Sequence, residues 1–244
     1  MKNKKLPGSR IAKVLARAGL CSRREAERWV LAGDVSVNGI ILETPATIVQ
    51  EKDLIIVKGT MVPKIKETKL WLFHKLPGFV TTHKDPNNRP TVFEQLPPNL
   101  PRVISVGRLD LNSEGLLLLS NNGELTRKLE LPKTGWVRRY RVRVYGPLDY
   151  QSLIDLKNGI TIDGIKYDSI YVKVESKNGT NAWLGIELKE GKNREIRNVM
   201  RYLGLQVNRL IRISYGPFQL GSLPRGQVIE VKKEVLYNKL KKII

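Results

Sequence analysis

The chain has 244 residues, of which 43 are Lys or Arg and 23 are Asp or Glu, giving a formal net charge of +20. Hydrophobic residues make up 41% of the sequence, which is enough for the core of one or two domains. A positive excess of this size favours a polyanionic partner, because Lys and Arg neutralise phosphates and release their counterions. Nucleic acid is therefore the expected partner, with an anionic membrane surface as the alternative.

Several other protein classes are disfavoured by simple counts. The longest purely apolar run in the centre of the chain, Leu116 to Leu119, is far too short to cross a bilayer. The Lys-rich N-terminus is not followed by an apolar stretch of signal-peptide length. Cys21 is the single cysteine, so an internal disulfide is excluded, and the histidines lack Cys partners at zinc-ligand spacing. We expect a cytoplasmic protein without a membrane partner or structural zinc.

The first sixty residues predict a small module of two helices and a hairpin. Ser9 suits the N-cap of a first helix, in which apolar residues recur at helical spacing up to Ala18. Ser22-Arg23-Arg24-Glu25 has the pattern of a capping box, and the helix that it opens is expected to end at Gly33. Asn38-Gly39 lies between two short β-branched runs, which predicts a hairpin with a type I′ turn.

Positive side chains dominate the exposed faces of these two helices. Such a charge run usually only keeps a surface solvated, but a surface of almost one sign favours contact with a phosphate backbone. The segments SRIAKVLARAG at 9–19, SRREAE at 22–27 and GDVSVNG at 33–39 resemble an S4 RNA-binding domain, which implies structured RNA as the ligand. The residues expected to contact RNA are Arg10, Lys13, Arg17, Arg23, Arg24 and Arg28.

The composition changes after this module. Residues 58–69 are polar, contain glycine and proline, lack periodicity, and predict a linker. From residue 70 short strand-like runs predominate, with helical stretches over Pro147–Leu156 and Arg194–Leu203, which predicts one α+β domain around a large mixed sheet. The predicted strands are Leu70–Phe73, Val103–Val106, Leu116–Leu119, Arg139–Tyr145, Ile170–Val174, Ala182–Leu188, Leu210–Ile213 and Val228–Val231.

The densest group of reactive and turn-forming residues is GRLDLNSEG at 107–115, between two predicted strands. Loops between rigid elements often carry reactive side chains, although an aspartate in a turn more commonly accepts a local hydrogen bond. The run resembles the motif that carries the catalytic aspartate of pseudouridine synthases acting on ribosomal RNA. The resemblance continues, in the family's order, with RRYRV at 138–142 and EGKNREIR at 190–197.

This family resemblance implies a fold and a set of roles. The fold is α+β: a small S4-like RNA-binding domain (9–57), then a catalytic domain (70–231) on a large mixed, mainly antiparallel sheet. The flanking segments 1–8 and 232–244 are interpreted as basic tails.

The resemblance also implies roles for single residues. Asp110 is the catalytic nucleophile, Tyr140 packs in the active site against the target base, and Arg197 pairs with the aspartate. Arg108 enters the RNA stack where the target base has left. Independently of the resemblance, the positive side chains around the same region are interpreted as phosphate contacts, which position RNA without selecting sequence; they are Lys192, Arg194, Arg201, Arg209 and Arg212.

The chemistry of the reaction agrees with this residue set. Pseudouridine formation breaks the N1–C1′ bond and rejoins the base through C5, without redox change or phosphate transfer, so no cofactor is expected. The sequence has no P-loop and no GxGxxG after a strand. One carboxylate that attacks or stabilises an electron-poor centre is sufficient; whether Asp110 attacks C1′, attacks the ring or assists a glycal route stays open. A glycosidase would need two carboxylates, and Glu114, the only near candidate, has a motif position that suggests a structural role.

Within the family, the segments THKDP at 82–86 and RPTVF at 89–93 look most like the enzymes acting on the large subunit. The nearest competitors act on 16S ribosomal RNA, and their third motif tends to end in lysine where this chain has Arg197. We therefore predict a monomer that modifies 23S ribosomal RNA, free or in a pre-ribosomal particle. A non-catalytic ribosome-assembly factor would explain the charge but not the three motifs. A DNA-binding regulator would need a dimerisation segment such as heptads, which is absent.

Overall fold

A computed structural model of the protein describes residues 8–131 and 134–240. The chain forms two compact units: the first holds the residues up to Thr68 with Asn99–Val103 and Asn121–Gly123, and the second holds the remainder. The predicted basic tail at 1–8 lies outside the described residues except for Gly8. Among the helices in these described ranges, none is long and apolar enough to cross a membrane.

The first unit combines two helices with short antiparallel strands. Strands β3, β2, β5 and β6 form a four-stranded sheet in that order, and β1 pairs with β4. Its core includes Ile11 and Leu15 of the first helix, Ala26 and Val30 of the second, and Val35 of the sheet. The elements are β1 (Ser9–Arg10), α1 (Ile11–Arg17), α2 (Arg23–Leu31), β2 (Val35–Val37), β3 (Ile40–Ile41), β4 (Ile48–Val49), β5 (Ile55–Val57) and β6 (Thr60–Met61).

Two local predictions for this unit are confirmed. The Ser22 hydroxyl accepts a hydrogen bond from Glu25 N at 3.2 Å, and the Glu25 carboxylate accepts one from Ser22 N, which completes the capping box of α2. Asn38 and Gly39 have φ angles of +52° and +84°, the positive pair that a type I′ turn requires. Both features depend on neighbours in sequence, which is why the sequence predicts them.

Two other predictions for this unit are wrong. Ser9 does not cap the first helix, because Ser9 and Arg10 pair with β4 as a strand; Arg10 occupies the N-cap and its side chain makes no capping hydrogen bond. The start of the predicted linker is also displaced. Lys58 and Gly59, both with positive φ, form a turn between β5 and β6, so residues 58–61 belong to the sheet.

The second unit is built on a nine-stranded sheet. Its main order is β13-β14-β10-β15-β9-β7-β17, with β16 beside β15 and β8 beside β9. Only β9 and β15 run parallel among these strands, so the predicted mixed, mainly antiparallel sheet is confirmed. The elements are β7 (Leu70–Lys75), β8 (Ile104–Ser105), β9 (Glu114–Ser120), α3 (Gly123–Glu130), β10 (Arg138–Tyr145), α4 (Tyr150–Asp155), β11 (Ile160–Ile162), β12 (Ile165–Tyr167), β13 (Tyr171–Asn178), β14 (Asn181–Leu188), α5 (Glu195–Tyr202), β15 (Gln206–Tyr215), β16 (Phe218–Gln219), β17 (Val228–Glu230) and α6 (Lys233–Leu240).

The C-terminal segment differs from the predicted basic arm at 232–244. Residues 233–240 form α6, whose Leu236 and Leu240 are buried in the core of this unit. The same core holds Leu125 and Leu129, which lie one turn apart on α3. A leucine pair at i and i+4 lies on one face of a helix, so each short helix is stabilised by burying that face.

The parallel contact between β9 and β15 positions the site described below. Gly115 of β9 lies opposite Arg212 of β15 and has a φ of +103°. A Cβ atom at Gly115 would lie 2.3 Å from the Arg212 carbonyl oxygen, so this close approach requires glycine. The loop that precedes β9 is thereby held beside the middle of β15.

Candidate active site

A cavity of about 520 Å³ in the second unit is lined by the loop between β8 and β9, by β10 and β15, and by the segment before α5. Its volume lies in the range of about 300–1,000 Å³ that small-molecule sites occupy. The three motif segments of the sequence all contribute to the lining. The charged and polar lining residues are Arg108, Asp110, Ser113, Glu130, Arg138, Tyr140, Lys192, Asn193, Arg194, Glu195, Arg212 and Tyr215.

The loop that carries Asp110 is fixed through its backbone. Thr81 Oγ1 donates to Leu109 O at 2.8 Å and accepts from Leu109 N at 3.3 Å. Gly107 N donates to the Glu130 carboxylate at 2.7 Å. These bonds flank the aspartate on its N-terminal side, so its side chain starts from a defined backbone position.

Lys75, at the end of β7, forms hydrogen bonds to the backbone of the same loop. The side chain is fully buried, and its Nζ donates to the carbonyl oxygens of Leu76 (2.9 Å), Asp110 (3.1 Å), Leu111 (3.4 Å) and Ser113 (2.8 Å). Burial lowers the pKa of Lys75 to about 8, although two nearby carboxylates oppose the shift. A buried ammonium group therefore binds the main chain of the loop at Asp110 and on its C-terminal side.

Tyr140 belongs to the buried face of β10. Its side chain is 8% exposed, and Val142 and Val144 follow it on the same face, as alternation along the strand predicted over Arg139–Tyr145 requires. Arg212 of β15 is its partner in the sheet register. Paired residues of adjacent strands project to the same side of a sheet, so Tyr140 and Arg212 face the cavity together.

Arg197 contacts the Asp110 loop from another side. Its Nη2 donates to Asn112 O at 2.9 Å and its Nη1 to Val207 O at 3.1 Å, and in the described residues it forms no direct ion pair with Asp110. Burial lowers the pKa of Arg197, and the positive charge of Arg194 adds to this, whereas Asp110 opposes it. The side chain lines a second cavity of about 400 Å³, which Arg194 shares with the first.

The segment before α5 forms a preorganised wall of the larger cavity. Glu195 is 4% exposed, and its Oε2 accepts from Lys192 N at 2.9 Å. Burial raises the pKa of Glu195 to about 7; the neighbouring Glu190 carboxylate adds to the rise. Glu190 accepts from Asp168 N at 2.7 Å and pairs with the Lys192 ammonium. The predicted RNA contacts that are exposed around the two cavities are Arg108, Lys192, Arg194 and Arg201.

Two arginines expected to contact phosphates have protein contacts. Arg209 pairs with the Glu114 carboxylate, which also receives Arg225 Nη2 at 3.1 Å. These cations lower the pKa of Glu114 against the opposing effect of burial, which agrees with the structural role predicted for it. Arg212 is 3% exposed, and its Nε donates to Leu116 O at 2.7 Å. The predicted phosphate contact is wrong for Arg212, because alternation along β15 turns its side chain inward.

The positive residues of the first unit differ in their exposure. Lys13 is half-buried, and the Arg17 guanidinium donates to Asn121 O at 2.9 Å and to Thr68 Oγ1 at 2.9 Å. Arg17 therefore contributes to the folding of its own unit as well as to the charge. The exposed members of the predicted RNA-binding set are Arg10, Arg23, Arg24 and Arg28.

Comparisons with known proteins show the family to which the chain belongs. The profile of the RNA pseudouridylate synthase family matches residues 69–202, more than half of the chain, and that of the S4 domain matches 9–55. An uncharacterised RNA pseudouridine synthase of Rickettsia conorii is 49% identical over 229 residues, covering 94% of this chain and 99% of that protein. The ribosomal large subunit pseudouridine synthase B of Salmonella typhimurium is 40% identical over 225 residues, covering 89% of this chain and 77% of that protein. A crystal structure of a pseudouridylate synthase has the same fold, with a TM-score of 0.67 and 21% identity over 96% of this chain and 99% of that one.

The chain belongs to the RNA pseudouridylate synthase family. It is an isomerase that forms pseudouridine in RNA, with an S4 domain preceding the synthase region. The family resemblance and the α+β fold predicted from the sequence are confirmed.

Some residues of the site are absent from the sequence predictions. Lys75 and Glu195 are charged yet buried, and Ser113 is a buried hydroxyl on the cavity lining. The sequence feature that could have identified Lys75 is its position directly after the mainly apolar run that begins at Leu70. A lysine at that position belongs to the same buried strand. Of the three motif residues, Asp110 and Tyr140 line one cavity, whereas Arg197 reaches the loop from the neighbouring one.

Proposed function

We propose that this enzyme converts a chosen uridine of 23S ribosomal RNA to pseudouridine, with Asp110 as its nucleophile. The observation that carries the proposal is that Asp110 and Tyr140, distant in sequence, line one cavity beside the exposed Arg108. A carboxylate, an aromatic ring and a cation in one cavity are the groups that the reaction requires.

The chemistry begins with removal of the target base from the RNA stack. Enzymes that act on a base bring it into a pocket where it stacks on aromatic or apolar groups, and Tyr140 supplies such a face. Arg108 takes the place that the base leaves. The N1–C1′ bond then breaks, the base turns, and C5 bonds to C1′; the C5 proton is lost and N1 gains one, so the base is isomerised. Asp110 supplies the carboxylate that this sequence of steps needs.

Arg197 supports the aspartate in this proposal. It binds the carbonyl of Asn112, two residues after Asp110, and the two side chains attract each other electrostatically. A cation fixed beside the loop keeps the carboxylate in position as the base excludes water from the cavity.

The first unit supplies RNA affinity and placement. Its exposed arginines suit contacts with phosphates, which carry affinity but little sequence information. We infer that residues 9–57 act as the RNA-binding domain, that 70–231 act as the catalytic domain, and that the enzyme works as a cytoplasmic monomer on ribosomal RNA or a pre-ribosomal particle. The large-subunit substrate is supported by the Salmonella relative and by arginine at the end of the third motif.

The test is to disrupt the gene and map pseudouridines across both ribosomal RNAs. The disrupted strain is complemented with wild type, Asp110→Asn, or the control Asp163→Asn, which makes the same change at an exposed turn. We expect pseudouridine to disappear from the 23S molecule and to return with wild type and the control but not with Asp110→Asn. A lost site in 16S RNA would refute the substrate, and restoration by Asp110→Asn would refute the nucleophile.

A further inference from the structure

Arg212 lines the cavity with an incomplete set of hydrogen bonds. Its Nε donates to Leu116 O, and its guanidinium carbon lies 5.0 Å from the centroid of the Tyr215 ring, so the group is held in place. The Nη2 atom is buried and has no hydrogen-bond partner in residues 8–131 and 134–240. A buried donor without an acceptor is costly, particularly on a charged group. The cavity is therefore suited to a ligand that brings an acceptor to this atom.

The surroundings of Arg212 also favour a ligand that carries or gains negative charge. Within the described part of the chain, Arg212 forms no ion pair with a carboxylate. It lies close enough to the Lys75 ammonium for its positive charge to lower the pKa of that lysine. Two buried cations thus lie near each other behind the cavity, and an electron-rich group beside Arg212 would relieve their repulsion.

The position of Arg212 relative to Tyr140 indicates which part of a ligand it meets. The two residues are paired in register on β15 and β10, and both side chains line the cavity. If the proposed target base stacks on the Tyr140 ring, the polar edge of that base is the part left to meet a neighbouring side chain. Uracil has two acceptors on its edge, the carbonyl oxygens O2 and O4.

We propose that Arg212 binds a carbonyl oxygen of the target uracil through Nη2 and stabilises the negative charge that this oxygen gains when the N1–C1′ bond breaks. This inference rests on the proposed function. The electron pair of the broken bond stays on the base, where N1, O2 and O4 share it, until C5 bonds to C1′. A guanidinium stays charged at all working pH values, and fixed donors aimed at developing charge contribute strongly to catalysis. Because Nη2 is buried, the base reaches it after a local rearrangement of the cavity lining.

The test replaces one oxygen of the substrate at a time. RNA oligonucleotides carry the mapped uridine, its 2-thio form or its 4-thio form, and sulfur is the weaker acceptor. Single-turnover rates are measured for wild type, Arg212→Met, Arg212→Lys and the control Arg143→Met, an exposed arginine of β10. We expect that one of the two thio substitutions, the one at the oxygen that Arg212 binds, lowers the single-turnover rate of wild type and of Arg143→Met. Arg212→Met should react about 100-fold more slowly with normal uridine, as for loss of one preorganised donor, and show no further thio penalty.

The conservative variant Arg212→Lys keeps the test informative if Arg212→Met does not fold. Arg212→Lys keeps the charge but not the planar fork, so it should react at an intermediate rate and show a reduced thio penalty even if the methionine variant does not fold. An Arg212 variant that reacts at the wild-type rate, or retains the full thio penalty, would overturn the assignment of Arg212 alone. Absence of turnover by wild type on every ribosomal RNA would overturn the proposed function, and this inference with it.

Discussion

The buried ammonium of Lys75 offers a direct test of how the Asp110 loop is held. Lys75→Met keeps a side chain of similar reach in β7 but removes the donor that binds four carbonyl oxygens, two of which belong to Asp110 and Ser113. We expect the variant to be less stable and much slower, since the backbone that presents the carboxylate loses its support.

The magnitude follows from two opposing terms. Three of the four hydrogen bonds of Lys75 measure 3.1 Å or less, and bonds to a charged group contribute about 1.5–3 kcal/mol each. Against this, the fall of the Lys75 pKa from 10.5 to about 8 corresponds to about 3 kcal/mol against the charged form, which methionine avoids. The free energy of unfolding at neutral pH should therefore fall by about 1.5–6 kcal/mol, a range that includes the roughly 3–5 kcal/mol typical when one partner of a buried charged pair is removed.

The ionisation of Lys75 should change stability and activity in opposite directions as the pH rises. The folded pKa of Lys75, about 8, lies below its usual value of 10.5, so between these limits the unfolded chain binds more protons and stability should rise with pH. The reaction rate should move the other way, because the loop loses the ammonium group as pH rises through about 8. Lys75→Met should remove the contribution of Lys75 to the pH dependence of stability and to the pH dependence of the reaction rate.

The assays are denaturant unfolding and single-turnover pseudouridine formation at saturating enzyme, each at neutral pH and at about pH 9.5, between the two limits. Lys173→Met, the same change on an exposed lysine of β13, is the control and should behave as wild type. If Lys75→Met unfolds with an unchanged free energy and reacts at the wild-type rate, the loop does not depend on Lys75 and the reasoning fails.

Three further predictions concern other parts of the molecule. Arg197→Met cannot donate to the two carbonyls, so its single-turnover rate should fall about a hundredfold, which corresponds to about 2.7 kcal/mol. Arg197→Lys should lose less. A methionine variant with a near-normal rate would show that Arg197 is only a surface RNA contact. The double variant Arg23→Gln/Arg24→Gln should flatten the slope of log affinity against log salt by about 1–2, and an unchanged slope would contradict a phosphate-binding role. Gly115→Ala should lose at least about 3 kcal/mol of stability or fail to fold, because its Cβ would meet the Arg212 backbone, and a wild-type melting temperature would refute this.

Local features were predictable from the sequence because their determinants are neighbours along the chain. The capping box at Ser22 and the Asn38-Gly39 turn depend on residues at most three positions apart. The helices α3 and α6 were missed because each has only two buried leucines, one turn apart, within a lysine- or glutamate-containing segment. Their formation depends on a core that the rest of the chain supplies.

The prediction for Arg212 was wrong because it relied on the basic composition of the protein. The alternating pattern of residues along β15 could have corrected it. Counted among the arginines of a basic protein, it was expected to contact phosphates. Leu210 and Ser214, however, lie two residues to either side of it, and all three are buried. Period-two burial along β15 would have placed Arg212 inside, whereas its missing hydrogen-bond partner could be found only in three dimensions.

The arrangement of charge around Asp110 suggests why the loop is held by its backbone. Lys75 and Arg197 both donate to main-chain carbonyls of the loop, and no hydrogen bond or ion pair to the Asp110 carboxylate oxygens occurs in the described part of the chain. A direct salt bridge would occupy the carboxylate oxygens that the proposed reaction uses, and would stabilise the ground state as much as the transition state. Cations bound to the backbone attract the carboxylate while leaving its oxygens accessible to the substrate. The strong interactions of this site thus fix the position of the proposed nucleophile without occupying its carboxylate oxygens.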